Sequence, residues 1–519
     1  MNSGGNGMES RSYEYDVIVY GGNAAGIMAG VQAVRMGLRT IVLEPGVRLG
    51  GLTTGGLGAT DAGDPAAIGG LSQEFYERLA RAYGRPGLVW RFEPKAALNV
   101  LEDIMAEYGL TAVTKARLLE HGGVDKQDNR IRSITLESGE VYSGKVFIDA
   151  TYEGDLMARA GVAYIVGREG NEVYGEANNG IRRLAKLEPR IDPYRVPGDP
   201  QSGLLARVNP NPGGKPGDGD GKTQAYNYRM CLTDDPDNRL PIEKPADYRE
   251  EDYEILFRLL EQGYTGPFFK LTMMPNRKTD SNNTGMFSTD YIGMSHAFAE
   301  AGYAQREELM KRHETYQKGL VWTLQHHPRV PEAIRSQYAP WGLPRDEFAE
   351  SGHWPSQLYV RESRRMLGER VVTEHTVNGS EFVGDPVGLG SYAMDSHYTQ
   401  YCLDEEGDVC VEGGFFVSVQ APFAISYKAI VPKRSECGNL LVPICLSSTH
   451  AAYGSIRMEP VFMVLGQSAG AAAALAAASG GAVQDVDYTE LRSILDRDGQ
   501  ILDLGEGYVT PPGTTGNPL

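Results

Sequence analysis

Short apolar runs and one stretch of helical spacing dominate the start of the chain. Val17–Tyr20 is a continuous apolar run, residues 21–26 read GGNAAG, and an Ala-, Met- and Val-rich stretch with helical spacing follows. A second apolar run, Thr40–Leu43, ends at Glu44. Continuous apolar runs of this length are typical of buried parallel strands. The pattern therefore predicts a strand, a glycine turn, a helix and a second strand that ends at an acidic residue.

These elements form the layout of a dinucleotide-binding βαβ unit. Gly21 would allow a tight turn, and Gly26 would let the helix pack closely on the strand. Small residues between them would let the backbone approach a pyrophosphate at the helix N-terminus, where free N–H groups favour an anion; they are Gly22, Asn23, Ala24 and Ala25. Glu44, about 20 residues further on, is placed to accept hydrogen bonds from ribose hydroxyls. The alternative is a glycine turn in an ordinary α/β domain.

The residues after Glu44 indicate which dinucleotide binds. Residues 44–58 read EPGVRLGGLTTGGLG. The acid followed by Arg-x-Gly-Gly resembles FAD-binding proteins of the glutathione-reductase-like superfamily, in which the paired glycines pass along the pyrophosphate and the flavin ring. The resemblance implies FAD as the cofactor and the following contacts to it: Pro45, Arg48, Gly50, Gly51, Leu52, Thr53, Thr54, Gly55 and Gly56. Asn23, where many relatives have glycine, would need only to point its side chain away from the phosphates.

The remainder of the predicted FAD domain follows in sequence. The spacing predicts helices over residues 71–83 and 94–108, and strands over 131–136 and 141–149 joined by a hairpin at Ser138. The segment containing Ala116 corresponds, by the resemblance, to backbone contacts with adenine. Residues 146–155 read VFIDATYEGD and resemble the motif that closes the FAD domain, which implies that Ala150 and Thr151 lie beside the dinucleotide. Tyr152 replaces a glycine of that motif, so the turn there must differ.

The C-terminal part resembles the superfamily's flavin-closing unit. An apolar strand is predicted over residues 439–443, and a long helix of small residues over 459–478. In the superfamily the N-terminus of this helix faces the flavin N1–C2=O edge, which implies that Ser455, Arg457 and Met458 contact the cofactor. Gly466 and Gly470 would allow the helix to pack closely on the helix of the glycine turn. An ordinary alanine-rich core helix is the alternative.

The middle of the chain changes character. Residues 171–245 are rich in turn-forming Gly, Pro, Asn and Asp, with one strand predicted over 223–232; helices are predicted over 248–262 and 296–325. The expected organisation is a disordered lead-in (1–12), a first FAD-binding part (13–165), an inserted substrate or cap domain (166–412), a second FAD-binding part (413–485) and a C-terminal tail (486–519). The predicted fold is α/β, with a split Rossmann-like FAD-binding domain and a large inserted α+β substrate domain.

Motifs spread over nearly the whole chain resemble the broad bacterial family called FAD-dependent oxidoreductase, some members of which are labelled xanthan lyase-like. They include DATYEGDL, QAYNYRMCLTDD, NNTGMFSTDYIG, YVRESRRMLG and SIRMEPVFMVLGQSAGAAAALA. The resemblance implies an enzyme with a polyhydroxylated, carbohydrate-like substrate. No second glycine fingerprint follows the first, so the electron acceptor is expected to be oxygen or an unidentified diffusible carrier.

Composition and net charge limit the classes of binding partner that we expect. The net charge of −18 argues against nucleic acid and against an anionic membrane surface. No apolar run was expected to approach the ~20 residues of a membrane span. The N-terminus lacks an apolar signal region, and the five cysteines show neither CxxC nor metal-ligand spacing, so we expect a cytoplasmic protein with reduced thiols and no metal. The sequence does not indicate the oligomeric state.

Among the nine histidines, two are candidate proton acceptors. His397 lies in the polar and aromatic stretch YAMDSHY, and a neutral imidazole there could accept a hydroxyl proton while hydride leaves the carbon. His450 precedes the flavin-closing helix and could be a base or a flavin contact. Arg361 could hold a substrate oxygen or the pyrimidine edge of the flavin. For all three, the alternative is a structural role.

Three functions therefore stay open at the level of sequence. The first is an FAD-dependent oxidoreductase that dehydrogenates a small hydroxylated substrate by hydride transfer to flavin N5. The second is a flavoenzyme without net redox, which eliminates or hydrolyses through transient oxidation. The third is an FAD monooxygenase.

Overall fold

The computed structural model describes residues 11–505 and 507–511. Residues 1–10 of the expected lead-in lie outside the described residues, and the first strand already begins at Ser12. The elements of the first part of the chain are β1 Ser12–Tyr20, α1 Ala24–Arg35, β2 Thr40–Leu43, α2 Gly51–Thr54, α3 Gly70–Ala82, α4 Pro94–Tyr108, β3 Thr111–Val113, β4 Val124–Gln127, β5 Arg130–Thr135 and β6 Val141–Asp149.

All six of these strands join one sheet in the order β3-β2-β1-β6-β5-β4. β1 pairs in parallel with β2 and with β6, so Val17 lies between Thr40 and Val146. Both faces of the sheet are covered, which is why the second half of β1 is a continuous apolar run with no exposed side chain. The carboxyl ends of these parallel strands meet at one edge, where ligands bind in folds of this type.

The middle of the chain forms many short elements around one long helix. They are α5 Asp155–Arg159, β7 Tyr164–Ile165, α6 Asn171–Tyr174, β8 Ala185–Lys186, β9 Tyr194–Val196, β10 Asp199–Leu204, β11 Val208–Asn209, β12 Asn227–Tyr228, β13 Met230–Thr233, β14 Arg239–Leu240, α7 Glu254–Glu261, β15 Thr272–Met274, β16 Lys278–Ser281, α8 Tyr303–His326, α9 Glu332–Tyr338, β17 Leu343–Pro344, β18 Leu358–Tyr359, β19 Arg365–Met366, α10 Glu374–Val377, β20 Pro386–Gly390, β21 Met394–Ser396, β22 Gln400–Leu403 and β23 Val409–Glu412.

The chain then returns to the large sheet. Its last elements are β24 Phe415–Val417, β25 Phe423–Ser426, β26 Leu440–Leu441, α11 His450–Ile456, α12 Glu459–Ser479 and α13 Tyr488–Arg497. Short 3₁₀ turns occur at Pro65–Ala67, Glu250–Tyr253, Pro275–Arg277, Ala349–Ser351, Tyr427–Ala429 and Val483–Asp485. β26 pairs in parallel with the end of β6, with Leu440 opposite Phe147. Residues far apart in sequence therefore build one sheet.

Helix α12 packs directly on α1, as the small residues predict. A Cβ on Gly466 would lie 2.1 Å from the carbonyl oxygen of Ala25, and one on Gly470 would lie 2.3 Å from that of Ala29. Only hydrogen-sized side chains allow the two backbones to approach this closely. The pair α1–α12 therefore joins the two parts of the FAD-binding region.

Three segments differ from the sequence expectations. α12 has 21 residues with a mean hydropathy of 1.7 over its most apolar window, so length and composition alone would permit a membrane span, and the expectation that no run reaches this length was wrong. In the fold, 89% of that window is buried, as in a core helix. α8 begins at Tyr303 rather than at residue 296, because the Glu120 carboxylate accepts the Tyr303 N–H and caps the first turn. Segment 486–519, expected as a tail, contains α13, and the carbonyl of Gly499, two residues after this helix, accepts the Gly70 N–H.

Candidate active site

The turn between β1 and α1 and the end of β2 form a notch lined with backbone N–H groups. The Glu44 carboxylate accepts the Gly22 N–H at 2.7 Å through Oε2 and the Gly46 N–H at 2.6 Å through Oε1. Burial raises the pKa of Glu44 to about 7, although these two N–H groups favour the charged form. The lone pairs that remain on this carboxylate can accept hydroxyl groups.

Two glycines, which lack a side chain, leave space for a ligand in the notch. Gly21 has a φ of +107°, and a Cβ there would lie 2.6 Å from the carbonyl carbon of Ala150. Gly51 has a φ of +54°, and a Cβ there would lie 2.5 Å from the Tyr152 hydroxyl. Larger residues would therefore be strained and would also close the notch.

Asn23 is the helix cap at this turn. Its Oδ1 accepts the Gly26 N–H at 3.0 Å, and its side-chain amide donates to the carbonyl of Ala150. The side chain is thus held between α1 and the end of β6. The Gly26 N–H is thus capped by Asn23, while the N-terminal end of α1 still favours an anion through the helix dipole.

The notch opens into a cavity of about 320 Å³, within the range of small-molecule sites. Of the residues predicted to bind the cofactor, it is lined by Gly21, Asn23, Glu44, Pro45, Gly51 and Thr151. Further lining residues that the sequence did not single out are Gly46, Arg117, Tyr152, Glu153, Phe298, Tyr303, Arg306 and Gln357. Those between 298 and 357 come from the middle part of the chain, and no local sequence pattern marks them.

The cavity contains charges of both signs. Arg306 forms an ion pair with Asp155 at 2.7 Å; although burial opposes it, the charge of Arg306 lowers the pKa of that carboxyl. Arg117 is paired with Glu137 and Glu307 at 2.5 Å each. Burial raises the pKa of Glu153 to about 7, against the favourable charge of Arg306. Tyr152, Glu153 and Asp155 all belong to the motif VFIDATYEGD, so these lining residues could have been predicted from the sequence.

Several other predicted cofactor residues do not line the cavity but form hydrogen bonds and ion pairs with the residues around it. The Arg48 guanidinium forms an ion pair with Glu350 at 2.6 Å and donates to the Thr54 carbonyl at 3.0 Å. Thr54 donates to the Leu49 carbonyl, the Leu52 N–H donates to the Tyr152 hydroxyl, and the Ala116 N–H donates to the Glu44 carbonyl. The remaining predicted residues of this group are packed in the interior beside them: Gly22, Ala24, Ala25, Gly26, Gly50, Gly55, Gly56 and Ala150.

Glu459, the first residue of α12, connects this helix to the glycine-rich segment and to the motif VFIDATYEGD. Its buried carboxylate accepts the Thr53 hydroxyl at 2.7 Å and the Tyr152 hydroxyl at 2.8 Å. Burial raises its pKa to about 7, against these two hydrogen bonds. Met458 is the N-cap of this helix, and Ser455 donates to the Tyr392 carbonyl. The N-terminus of α12 is therefore fixed to the glycine-rich segment.

A closed chain of six side chains, which we call the polar ring, lies beside this wall. Its members are Arg361, Asp290, His397, Asp395, Arg457 and Tyr359. Asp290 Oδ2 lies 2.8 Å from His397 Nδ1, and Asp395 Oδ2 lies 3.5 Å from His397 Nε2. Asp290 Oδ1 lies 2.9 Å from Arg361 Nη2, an ion pair whose N–H direction is not aligned for a hydrogen bond.

The other half of the polar ring closes through Tyr359. Arg457 is 2.8 Å from Asp395 Oδ2 and donates to the Tyr359 hydroxyl at 2.8 Å. The Arg361 guanidinium lies 4.7 Å from the centre of the Tyr359 ring, which favours a cation. Two Arg–Asp ion pairs therefore enclose one imidazole.

Electrostatics fix the charge of both carboxylates in the polar ring. Burial opposes ionisation of Asp395, but the charges of His397 and Arg457 outweigh it and hold its pKa at about 2. For Asp290, burial is likewise outweighed by Arg361 and His397, and the pKa is lowered. Because an ionised carboxylate can only accept, Nδ1 of His397 carries the hydrogen that faces Asp290. His397 keeps 13% of its side chain exposed, whereas Asp290 keeps 1%.

One strand, Leu358–Tyr359, contributes to both the cavity lining and the polar ring. Gln357 and Leu358 line the cavity, and the next residue is Tyr359. On the opposite side, Arg457 directly precedes Met458 and α12. The arrangement brings His397 and Arg361 together through Asp290, as sequence reasoning placed both in the substrate region. Asp290 itself, in the stretch NNTGMFSTDYIG, was not singled out, because its role arises only from contacts across the fold.

His450 lies elsewhere in the interior. Its Nδ1 is 2.7 Å from Glu362, both side chains are 1% exposed, and Nε2 has no hydrogen-bond partner among the described residues. Although burial opposes it, the charge of His450 lowers the pKa of Glu362. The His450 imidazole is therefore enclosed in the interior, whereas that of His397 is partly exposed.

The fold and the notch together define a flavoprotein of the Rossmann-like type. Residues 16–495 match the family described as FAD dependent oxidoreductase, so the chain belongs to that family. It is an FAD-dependent oxidoreductase with FAD as its cofactor, and the residues present fit this group: a glycine cradle at a helix N-terminus, a carboxylate placed for ribose and basic groups in the cavity.

Solved structures of other flavoproteins show limited similarity to the chain. They include a 3-ketosteroid-Δ4-(5α)-dehydrogenase from Rhodococcus jostii RHA1 (17% identity, 32% of this chain, 52% of that chain, TM-score 0.21). A flavin-containing monooxygenase from Stenotrophomonas maltophilia is 20% identical, with 33% of this chain and 44% of that chain covered and a TM-score of 0.20. A flavoprotein/dehydrogenase from Cytophaga hutchinsonii is 14% identical, with 29% of this chain and 42% of that chain covered and a TM-score of 0.21. The chain spans about half of each of these proteins, and such partial overlap does not define a substrate. No curated protein matches the chain in sequence.

Proposed function

We propose that the protein dehydrogenates a small, hydroxylated, carbohydrate-like substrate, with His397 as the base that takes the hydroxyl proton. When bound, FAD supplies the hydride acceptor for the hydrogen on carbon. The observation that carries this proposal is the polar ring, in which a partly accessible imidazole lies between two ionised carboxylates and which the strand Leu358–Tyr359 connects to the cofactor cavity.

The geometry suits proton transfer to His397. Asp290 holds the Nδ1–H, so Nε2 carries the lone pair whenever the imidazole is neutral, and His397 must be in that form to act as the base. Nε2 lies 3.5 Å from Asp395, beyond a good hydrogen bond, and is free to accept a substrate hydroxyl. When the O–H bond breaks, the proton moves to Nε2, and the imidazolium formed is stabilised by both carboxylates. The carbon loses hydride in the same reaction, and a carbonyl group forms.

The neighbouring groups support a hydroxyl-rich substrate. Arg361, Arg457 and Asp395 offer donors and acceptors around His397, and a polyol can use both kinds of group. Reoxidation then requires a separate acceptor, which we propose is oxygen or a diffusible carrier. All five cysteines are buried and without a disulfide, which is consistent with the proposed cytoplasmic location.

Anaerobic bleaching of the flavin tests the proposal. Purified holoenzyme is mixed with D-glucose, myo-inositol and glycerol, and at least one of them should bleach the flavin absorbance. His397→Gln should keep FAD bound and slow bleaching by about a hundredfold or more, the usual range for a general base. His326→Gln is the matched control, because His326 is exposed at the end of α8.

Each outcome separates the candidate functions. Bleaching at the wild-type rate in His397→Gln would remove His397 from the mechanism. Absence of bleaching with all three compounds would contradict the proposed dehydrogenation. Substrate turnover without bleaching and without an acceptor would instead indicate a reaction with no net redox, and rapid NAD(P)H consumption with oxygen would indicate a monooxygenase.

A further inference from the structure

Strands β21 and β24 form a two-stranded antiparallel sheet that carries one residue of the polar ring. Their register places Met394 opposite Val417 and Asp395 opposite Phe416. Residues directly opposite each other in an antiparallel pair project from the same face of the sheet, with Cβ atoms about 5 Å apart. Phe416 therefore lies on the same face as the carboxylate of Asp395, and Val417 lies on the other face with Met394.

The candidate base contacts this same carboxylate. Asp395 Oδ2 lies 3.5 Å from Nε2 of His397, the nitrogen that we assign as proton acceptor, and 2.8 Å from Arg457. The cross-strand pair thus brings the Phe416 Cβ to about 5 Å from the Cβ of the residue that contacts both groups. A phenyl ring at this distance can contact a molecule whose hydroxyl group is bound at Nε2.

Phe416 is exposed, although most large apolar side chains of this region are buried. Its exposed fraction is 57% in the part of the chain that the structure describes. Its ring contacts the buried Tyr392 at right angles, with 6.1 Å between the ring centres and an interplanar angle of 89°. This contact supports the phenyl ring on one side and leaves more than half of the side chain accessible to a ligand.

The pairing with Asp395 does not account for an aromatic residue at this position. Cross-strand pairs that stabilise a sheet join two aromatic residues, an aromatic and a β-branched residue, or opposite charges. Phe416 instead lies opposite an ionised carboxylate that already has two cationic or hydrogen-bonding partners, His397 and Arg457. The exposed ring is hydrated at a cost in free energy, and a ligand that covers it would remove this cost.

A saturated ring with hydroxyl substituents matches this combination of groups. Pyranoses and cyclic polyols present C–H groups on a ring face and hydroxyl groups around the edge. The C–H face can cover the phenyl ring, while the edge hydroxyls reach the donors and acceptors of the polar ring. Small-molecule sites commonly combine an aromatic wall with a few polar groups that fix the orientation of the ligand. An open-chain polyol has no comparable flat face.

We propose that Phe416 is a specificity-determining residue that packs against the C–H face of a pyranose or cyclic polyol, with one hydroxyl group of that ring at His397 Nε2. This inference rests on the proposed function and deepens it, because it restricts the hydroxylated substrate to a cyclic one. Phe416 takes no part in proton or hydride transfer. Its contact is present both in the bound substrate and in the transition state, so it strengthens binding without accelerating the chemical step.

Anaerobic flavin reduction of the holoenzyme by D-glucose and myo-inositol tests this contact. Phe416→Ala should raise the half-saturating concentration of the cyclic compound about tenfold, as expected when part of a phenyl ring is no longer covered. The limiting rate of reduction should stay within about twofold of the wild type, because only uniform binding is lost. Phe416→Trp keeps a flat aromatic face and should stay within about threefold of the wild-type half-saturating concentration.

The matched control is Phe382→Ala. Phe382 is another exposed phenylalanine, with an exposed fraction of 87%, and it lines a separate cavity of about 740 Å³ together with Met394 and Val417. Those two residues occupy the opposite face of the β21–β24 sheet, so Phe382→Ala should leave both the half-saturating concentration and the limiting rate unchanged.

A second measurement reports binding without flavin reduction. In Phe416→Trp, a sugar ring that covers the indole should shift its fluorescence emission to shorter wavelength within the first milliseconds of stopped-flow mixing, before the flavin bleaches. D-Glucose or myo-inositol should produce this shift, and glycerol, which has no ring, should not. The wild type, mixed in the same way, gives the contribution of the four native tryptophans.

The outcomes separate this inference from the function on which it rests. An unchanged half-saturating concentration in Phe416→Ala, or bleaching of the wild type by glycerol alone, would overturn the inference and leave the proposed dehydrogenation standing. Loss of FAD from Phe416→Ala would mean that the ring contacts the cofactor, and would also overturn it. A fluorescence shift without bleaching of the wild-type flavin by any compound would support the ring contact and contradict the dehydrogenation. Neither shift nor bleaching would overturn both.

Discussion

Asp290 Oδ2 lies 2.8 Å from His397 Nδ1, and the other oxygen of the same carboxylate faces Arg361 at 2.9 Å. One buried carboxylate therefore orients the imidazole and neutralises a guanidinium. The contact joins a residue of the inserted region to one that follows β21. It determines which nitrogen of His397 is available to a substrate.

Replacing Asp290 by Asn should disturb the tautomer of His397 and leave the cofactor in place. The amide can donate its N–H to Nδ1, which would then carry the lone pair and leave the hydrogen on Nε2. Flavin reduction by substrate should fall between about 10²- and 10⁴-fold, with little change in FAD retention. Stopped-flow reduction and flavin release on heating measure the two effects separately.

The matched control is Asp252→Asn, another buried aspartate, which accepts the Tyr291 hydroxyl and, among the described residues, bonds to no side chain of the polar ring. It should lose stability without slowing reduction. Equal reduction rates for the wild type and Asp290→Asn would mean that the contact to His397 is structural only.

Gly466→Ala should destabilise the protein and weaken FAD retention. Its new Cβ would lie 2.1 Å from the Ala25 carbonyl oxygen, so α12 must move away from α1. Overpacking of this kind costs about 3 kcal/mol of unfolding free energy, and the shift would widen the notch. Thermal unfolding with intrinsic flavin fluorescence reports both changes. Gly438→Ala, whose Cβ would meet its nearest atom at 3.5 Å, should be nearly neutral; equal losses for the two variants would contradict this account.

FAD affinity should depend on pH through Glu44. In the ligand-free protein the pKa of Glu44 is raised to about 7, and ribose hydroxyl donors would favour its ionised form, so binding should lower that pKa. The affinity contributed by Glu44 is therefore full above about pH 7 and weakens as the pH falls below it, by up to about tenfold per unit. Titration of the apoprotein with FAD from about pH 6 to about pH 8 measures this.

Glu44→Gln isolates the effect of this one group. Glu153 lines the same cavity, also has a pKa of about 7, and acts with the opposite sign because its charge repels a pyrophosphate. The ratio of wild-type to Glu44→Gln affinity should rise with pH. A ratio that is constant over this range would show that Glu44 does not contact the cofactor.

The cofactor half of the molecule could be predicted because its signals are local. The run Val17–Tyr20, the turn at Gly21 and the acid at Glu44 follow one another, and each element dictates the next through strand, turn and helix geometry. Helix α4 begins and ends at the predicted residues, Pro94 and Tyr108. Gly466 could be assigned to helix packing because a small residue on an apolar helix has few other uses.

The substrate half could not be predicted in the same way. Asp290, His397 and Arg457 are brought together by short strands and loops from three distant segments, and no periodicity connects them. Arg48 has the sequence context of a cofactor contact, yet its partner Glu350 lies in the inserted region.

The discontinuous sheet has a consequence for biosynthesis. β6 is complete at Asp149, but its neighbour β26 starts only at Leu440, and the surface of α1 that contacts Gly466 is covered only by α12. During translation, the first part of the FAD-binding region therefore leaves the ribosome with one apolar face of α1 uncovered. That face stays uncovered until α12, near the end of the chain, has been made. We therefore expect FAD to be enclosed only once α12 has been translated, and chains terminated before α12 should be substrates for chaperones and proteases.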